Sequence, residues 1–353
     1  MMQSDGLDTL LPRQPAVPQS LEEAIEPAWL SAALAPISGG APVESVELAE
    51  VIKTMASKVR IRVRFVGDDT VHAYCLKAFL GEGNMGGQTT IREGRFYTDI
   101  APRTTMRLPK VPAVVLDQEN GDGILIMEDM IAAGARFCSA LEPFTPELAA
   151  QSLDQLARLH VNTDIAATTD WLPNRIDVIA TKPHFTEDRL QQLMDDPRSE
   201  TLTERTKSAA LLHAGLAKLS ERNAAKPRTL LHGDCHAGNL FQTAEGPGFT
   251  DWQLVQRGHW ALDVAYHLCA ILPVDVAQAH ERDLVAGYLD AVKRHGGDAP
   301  GWDAAWEDYR ASQIYGYYHW AITTRVEPAI IRIFMERLGA GVTRHETYAL
   351  LGL

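Results

Sequence analysis

Cysteine is scarce in this 353-residue chain, and the four present (Cys75, Cys138, Cys235, Cys269) are scattered without a C-x-x-C pair. That excludes a disulfide framework, argues against a structural zinc site, and points to reduced thiols in a cytoplasmic protein. Long apolar runs are also missing: no stretch reaches the roughly 18 residues of a membrane span. The N-terminal MMQSDGLDTLLPRQPAVPQ has neither a basic n-region nor an apolar h-region, so no signal peptide is expected. Basic residues are outnumbered, 33 Lys+Arg against 46 Asp+Glu, for a formal charge of −13. Such a balance argues against nucleic acid as partner, although a few local cations suffice for one small anionic ligand. Internal repeats and low-complexity tracts are absent. What remains is ordinary globular composition, 46% hydrophobic and 22% charged, in a chain long enough for two lobes.

The periodicities divide the chain. Residues 1–19 read as a loose polar arm. Ser20 with Glu23 forms a capping box ahead of a helix to about Leu34, so residues 1–40 are an arm and a helix. Val59, Ile61, Val63 and Phe65 alternate with Arg60, Arg62 and Arg64, which predicts a half-buried strand with an arginine face. Gly67-Asp68-Asp69 is a turn, and Val71–Phe79 reads as the next strand. Helical spacing returns over Thr89–Ile100. Short strands at Ala113–Leu116 and Ile124–Met127 flank Asn120-Gly121-Asp122-Gly123, a hairpin turn signal. Residues 41–130 therefore read as a small antiparallel sheet with one helix. Residues 131–353 are helical in character, with apolar stripes over 146–161, 209–219, 261–295 and 302–340. The polar stretch near 180–205 reads as an insertion or connection.

The chemistry concentrates in Leu230–Asp263, LLHGDCHAGNLFQTAEGPGFTDWQLVQRGHWALD. His232, Asp234 and Asn239 spell H-x-D-x-x-x-x-N, and Asp251 follows twelve residues after Asn239. Phosphoryl transfer from a magnesium-bound nucleotide needs positioning and charge neutralisation more than covalent help. One Asp faces the attacking hydroxyl; an Asn and a second Asp offer hard oxygens to Mg2+. A turn at Glu245-Gly246-Pro247-Gly248 lets the chain return and place Asp251 beside Asn239. Read alone, the H-x-D would be a loop making turn hydrogen bonds; the full set outweighs that.

Upstream residues complete a phosphate site. Lys77, mid-strand in A-Y-C-L-K-A-F, suits the α- and β-phosphates of ATP, with Glu93 on the following helix fixing its amine. Alone, both would pass for exposed charges. Leu125-Ile126-Met127-Glu128-Asp129 ends the last strand, where a connector would present backbone groups to adenine.

These segments resemble the aminoglycoside phosphotransferase and choline kinase-like group, and within it the ecdysteroid-kinase-like branch. The likeness spans roughly residues 25–340. It is carried by Y-C-L-K around Lys77, R-E-G-R-F-Y around Glu93, I-M-E-D at 126–129, L-A-R-L-H at 156–160, H-G-D-C-H-A-G-N at 232–239, D-W-Q at 251–253 and D-V-A-Y at 263–266. It implies an α+β, protein-kinase-like two-lobed fold: a small antiparallel-sheet N-lobe with one helix, a larger helical C-lobe, and Mg-ATP in the cleft between them. It further implies Asp234 as catalytic base, Asn239 and Asp251 as Mg2+ ligands, Lys77 and Glu93 as the phosphate-anchoring pair, Met127, Glu128 and Asp129 as hinge, and His232 and Asp263 as structural braces. D-W-Q replaces the D-F-G of protein kinases. The phosphate-covering hairpin Lys53-Thr54-Met55-Ala56-Ser57-Lys58 lacks glycine, leaving Ser57 as a phosphate donor.

Rival readings have sequence support. Gly81-Glu82-Gly83-Asn84-Met85-Gly86 matches the dinucleotide G-x-G-x-x-G, with Asp99 roughly 20 residues on. His232, Asp234 and His236, with His259, Asp263 and His267, resemble a hydrolase metal cluster. The first needs a βαβ unit where hairpins are expected; the second ignores Lys77, Glu93 and Asn239. Tyr309, Tyr315, Tyr317, Tyr318 and Trp320, with Trp302 and Trp306 nearby, read either as core or as the lining of a pocket for an apolar, aromatic or sterol-like alcohol. Glu307-Asp308 keeps an aminoglycoside acceptor open. The expectation is an ATP-dependent, cytoplasmic kinase of a small-molecule hydroxyl, monomeric or homodimeric. The alternatives are an antibiotic kinase, a protein kinase, or a nucleotide-binding pseudokinase.

Overall fold

The computed structural model describes residues 15–53, 56–80, 87–142 and 144–353. The described residues form two compact units, one drawn from 15–99 and 109–133 and the other from 100–108 and 134–353.

In the first unit, β1 (Val43–Lys53), β2 (Ser57–Phe65), β3 (His72–Ala78), β4 (Ala113–Asp117) and β5 (Asp122–Glu128) form one sheet, ordered β1-β2-β3-β5-β4. Every pairing is antiparallel. Among the described residues no βαβ unit arises, and antiparallel pairing around Lys77 does not fit the dinucleotide reading; its glycine run, 81–86, lies outside the described residues. Alternation behaves as the pattern dictates. Val59, Ile61, Val63 and Phe65 are buried with Tyr74, Leu76 and Ala78 of β3. On the other face Arg60 meets Glu50 at 2.6 Å and Asp129 at 2.9 Å, and Arg62 meets Glu47 at 2.7 Å. Strand β1 was not expected; its residues are mostly exposed, so it lacks a clean hydrophobic alternation.

The N-terminal helix is two helices, α1 (Leu21–Ala24) and α2 (Pro27–Ser38). Pro27 cannot continue a helix and instead starts one. Ser20 caps α1 by accepting from Glu23 N at 3.2 Å. α3 (Gly87–Arg95) passes into a π-helical turn at Phe96–Ile100.

The second unit holds α4 (Pro146–His160), α5 (Thr163–Thr168), α6 (Arg175–Thr181), α7 (Glu187–Met194), α8 (Glu204–Lys207), α9 (Ala209–Asn223), α10 (Ala261–Ile271), α11 (Val274–Arg294), α12 (Trp302–Ala311), α13 (Gln313–Ala321), α14 (Pro328–Arg344) and α15 (Thr347–Leu350). The polar 180–205 stretch is not a bare connection, because α7 inserts Leu190, Leu193 and Met194 into buried positions. Short strands frame the loops: β6 (Arg136–Phe137), β8 (Leu240–Thr243) and β9 (Gly246–Phe249) form one sheet, and β7 (Thr229–Leu231) pairs with β10 (Gln256–Gly258). The core gathers α9, α10, α13 and α14 around Tyr266, Tyr315 and Phe334. Among the described residues no helix is long and apolar enough to cross a membrane.

Candidate active site

Strand β7 is wholly buried and delivers the chain to His232. Gly233 then adopts φ +84°, and a Cβ there would collide with Gln256 Nε2 and the Leu254 carbonyl. Only glycine turns the chain so tightly at this point, and the turn brings out Asp234. The Asp234 side chain keeps 20% exposure while its neighbours His232, Gly233 and Cys235 are buried.

Both carboxylate oxygens of Asp234 are held. Tyr266 donates its hydroxyl to Oδ1 at 2.9 Å, and Trp320 Nε1 donates to that hydroxyl at 2.8 Å. Burial and the Asp234 charge push the Tyr266 phenol well above its ordinary pKa, so it remains a donor. Asn239 Nδ2 donates to Oδ2 at 3.2 Å and to the Asp234 carbonyl at 2.9 Å. Those bonds occupy the amide nitrogen and leave the amide oxygen as the group able to ligate a cation.

The β8–β9 hairpin returns the chain as the spacing required. The turn lies at Ala244-Glu245, and Gly246-Pro247-Gly248 already belongs to β9, with Thr243 opposite Gly246. Thr250 N donates to Asn239 O at 2.9 Å, which brings Asp251 next to the Asn239 backbone. Asp251 itself takes the left-handed conformation, φ 66° and ψ 69°. A non-glycine residue there is strained, a feature that clusters at functional positions.

Two buried groups brace this loop. Asp263, on α10, accepts from His232 N at 2.7 Å and Gly233 N at 2.9 Å. Its third partner is His160 Nε2 at 3.3 Å. Burial opposes the Asp263 charge, yet the His160 hydrogen bond, nearby imidazoles and the Gly233 amide hold its carboxyl below the usual value. His232 accepts from Asp234 N through Nδ1 at 3.2 Å, so Nε2 carries the proton and donates to the Thr250 carbonyl at 3.0 Å. One imidazole thus joins the Asp234 and Asp251 segments, and burial depresses its pKa.

Neighbouring histidines are likewise committed. His267 donates Nδ1–H to the Cys235 carbonyl at 2.8 Å; its Nε2 then accepts from Ser152 Oγ at 2.7 Å. Burial drives His267 and His259 down to about 4. Among the described residues no group of three His, Cys, Asp or Glu could hold a metal ion, which removes the footing of the hydrolase reading.

In the first unit, Lys77 Nζ lies 2.9 Å and 2.7 Å from the two Glu93 oxygens, with 7% and 3% residue exposure. They are an ion pair, not two exposed charges. Ser57 sits at the start of β2, opposite Lys53 and Ala78; Thr54 and Met55 lie outside the described residues. At the expected hinge, Glu128 N donates to Lys110 O at 2.8 Å and Asp129 N to Ala73 O of β3 at 3.0 Å, so both amides are already engaged. The Asp129 carboxylate caps Ile131 N and Ala132 N at 3.1 Å. Met127 is a buried residue of β5.

The aromatic residues prove to be mostly core. Tyr309, Tyr315, Tyr317 and Tyr318 are at most 1% exposed and divide between α12 and α13. Trp320 is the member that reaches the Asp234 network. Glu307 and Asp308 are consumed elsewhere: Arg222 binds both at 2.9 Å, and Lys226 binds Asp308 at 2.8 Å. Tyr266 went unassigned in the sequence although D-V-A-Y contains it; a contact across 32 residues leaves no local signature.

The antiparallel sheet unit and the larger helical unit together define a protein-kinase-like fold. A choline kinase structure from Cryptosporidium parvum is similar, at 12% identity, with TM-score 0.50, covering 86% of this chain and 89% of that one. The choline kinase LicA of Streptococcus pneumoniae aligns at 12% identity and TM-score 0.47, covering 86% and 94%. The GDP complex of an aminoglycoside 2'-phosphotransferase aligns at 10% identity and TM-score 0.46, covering 92% and 97%. No curated protein sequence matches the chain. The phosphotransferase enzyme family APH matches residues 53–309, and the chain belongs to that family.

Proposed function

We propose that this protein transfers the γ-phosphate of ATP to a hydroxyl of a small molecule. The observation that carries the reading is Asp234: an accessible carboxylate fixed at both oxygens, with Asn239 and Asp251 joined beside it through one backbone bond. Asp234 orients the acceptor hydroxyl and accepts its proton as the oxygen attacks phosphorus. His232 and Asp263 hold the loop, so that little reorganisation is needed at the moment of transfer. Lys77, set by Glu93, neutralises phosphate oxygens.

The donor set fits Mg2+. The Asn239 amide oxygen and the Asp251 carboxylate are hard ligands, and two side chains suffice for an ion that keeps several waters. When bound, Mg2+ neutralises charge on the phosphates. Ser57 and the 127–129 segment are assigned to nucleotide contact as well. With the Glu128 and Asp129 amides engaged, that segment contacts adenine through other groups. The acceptor in this reading has apolar or aromatic character; Trp320 itself is buried and stacked on Phe334 at 3.9 Å.

Calorimetric titration of ATP with and without Mg2+ tests the metal assignment. Asp251→Ala is expected to abolish the Mg2+ dependence of binding; an unaltered dependence removes Asp251 from the role.

A further inference from the structure

An arginine tied by its backbone to the strand packed behind Gly233 is unused by the phosphotransferase chemistry. Arg175, the first residue of α6, is placed by its backbone. Its N–H donates to Gln256 Oε1 at 3.2 Å, Gln256 Nε2 donates to the Tyr315 hydroxyl at 2.6 Å, and that hydroxyl reaches the Gly233 carbonyl at 3.3 Å. Gly233 immediately precedes Asp234. The charge of Arg175 bears on Tyr315, Tyr318 and His319, which share one face of α13. His319 packs 4.5 Å from Tyr315 and lies nearly parallel to Tyr266 at 5.8 Å, the tyrosine bonded to Asp234.

Arg175 makes no ion pair with a described residue, and its Nε is buried without a hydrogen-bond partner. An unpartnered buried guanidinium nitrogen is costly unless a ligand completes it. Among the described residues no carboxylate supplies the missing anion. Asp263, one of two carboxylates whose charge bears most on His319, is enclosed by His232, Gly233 and His160. The other is Asp234, which is engaged with Tyr266 and Asn239. A cationic acceptor would need free carboxylates here, and Glu307 and Asp308 are bound to Arg222 and Lys226.

We infer that Arg175 receives an anionic group of the acceptor, a carboxylate or a phosphate. The substrate class is then a small hydroxylated acid, not an amino alcohol or an aminoglycoside. The guanidinium fork matches either anion in two parallel hydrogen bonds. The inference rests on Asp234 being the residue that meets the acceptor hydroxyl.

The test uses the full chain and matched probes: mandelate, its uncharged amide, the cationic 2-amino-1-phenylethanol, and glycerol 2-phosphate. Each is titrated calorimetrically, and Mg-ATP is titrated separately. An anion is expected to bind about 10- to 100-fold more tightly than the amide or the amine. Arg175→Gln should erase that preference with Mg-ATP affinity unchanged, and Arg175→Lys should restore part of it. Mandelate favoured over glycerol 2-phosphate identifies hydroxy acids; the reverse identifies phosphorylated alcohols. The inference is overturned by an amine that binds as tightly, by a preference that survives Arg175→Gln, or by no anion binding below about 10 mM. Anion binding that depends on Arg175, in a protein that does not bind Mg-ATP, would uphold the anion site and sink the phosphotransferase reading instead.

Discussion

At the scale of the residue, Asp234 depends on a hydroxyl that no motif names. The Tyr266 bond to Asp234 is charge-assisted, and such bonds contribute about 1.5–3 kcal/mol. Tyr266→Phe is therefore expected to lower kcat by roughly 10- to 100-fold with ATP KM unchanged; equal kcat values for the two proteins would show that the hydroxyl does not position Asp234. The buried histidines make a second prediction. His259, His267 and His319 titrate near 4 in the fold, against an ordinary 6.5, chiefly because burial disfavours the charged ring. The unfolded chain takes up protons first as pH falls, so stability is complete above about 6.5 and declines toward 4. Each histidine contributes roughly 1.4 kcal/mol per pH unit in that window. Urea denaturation at pH 7.5, 6.0 and 5.0 should show the decline, and a flat profile would contradict it. The Lys77–Glu93 contact and the return that brings Asp251 beside Asn239 were legible in the sequence, from the strand-helix order and the hairpin spacing. Tyr266 and Arg175 were not, since each acquires its neighbours only when distant elements pack; Trp320 was singled out only as one of an aromatic cluster, without its bond to Tyr266.

At the scale of the element, the sequence was read best where a period is clean. The β2 strand, with valines and isoleucine alternating with arginines, was correctly expected; the mostly exposed β1 was not. Pro27 divided the first helix at a point where the apolar pattern runs on, and α7 was concealed by its charged face. Packing between α10 and α13 also has a local cause. Gly316 lets the Tyr266 ring lie against the α13 backbone, and a Cβ there would collide with that ring. Gly316→Val is expected to destabilise by about 1–3 kcal/mol and to displace Tyr266 from Asp234. Loss of both melting temperature and kcat would fit; lost stability with wild-type kcat per folded molecule would dissociate the two helices from the site.

At the scale of the whole molecule, the proposed function draws on both units, Lys77 and Glu93 in the first and Asp234, Asn239 and Asp251 in the second. The pair in the first unit is nearly as buried as a core residue, and removal of one partner of a buried pair costs about 3–5 kcal/mol. Glu93→Ala should thus lower the unfolding free energy as well as Mg-ATP affinity; an effect on neither would contradict both roles given to the pair. The most direct test of the central claim is ADP formation by the wild type and by Asp234→Asn in the presence of Mg-ATP and a panel of hydroxylated acids. Acceptor-stimulated turnover that falls by about 10²–10⁴ in the variant, with Mg-ATP still bound, is the predicted result. Turnover that persists in Asp234→Asn at the wild-type rate would contradict it.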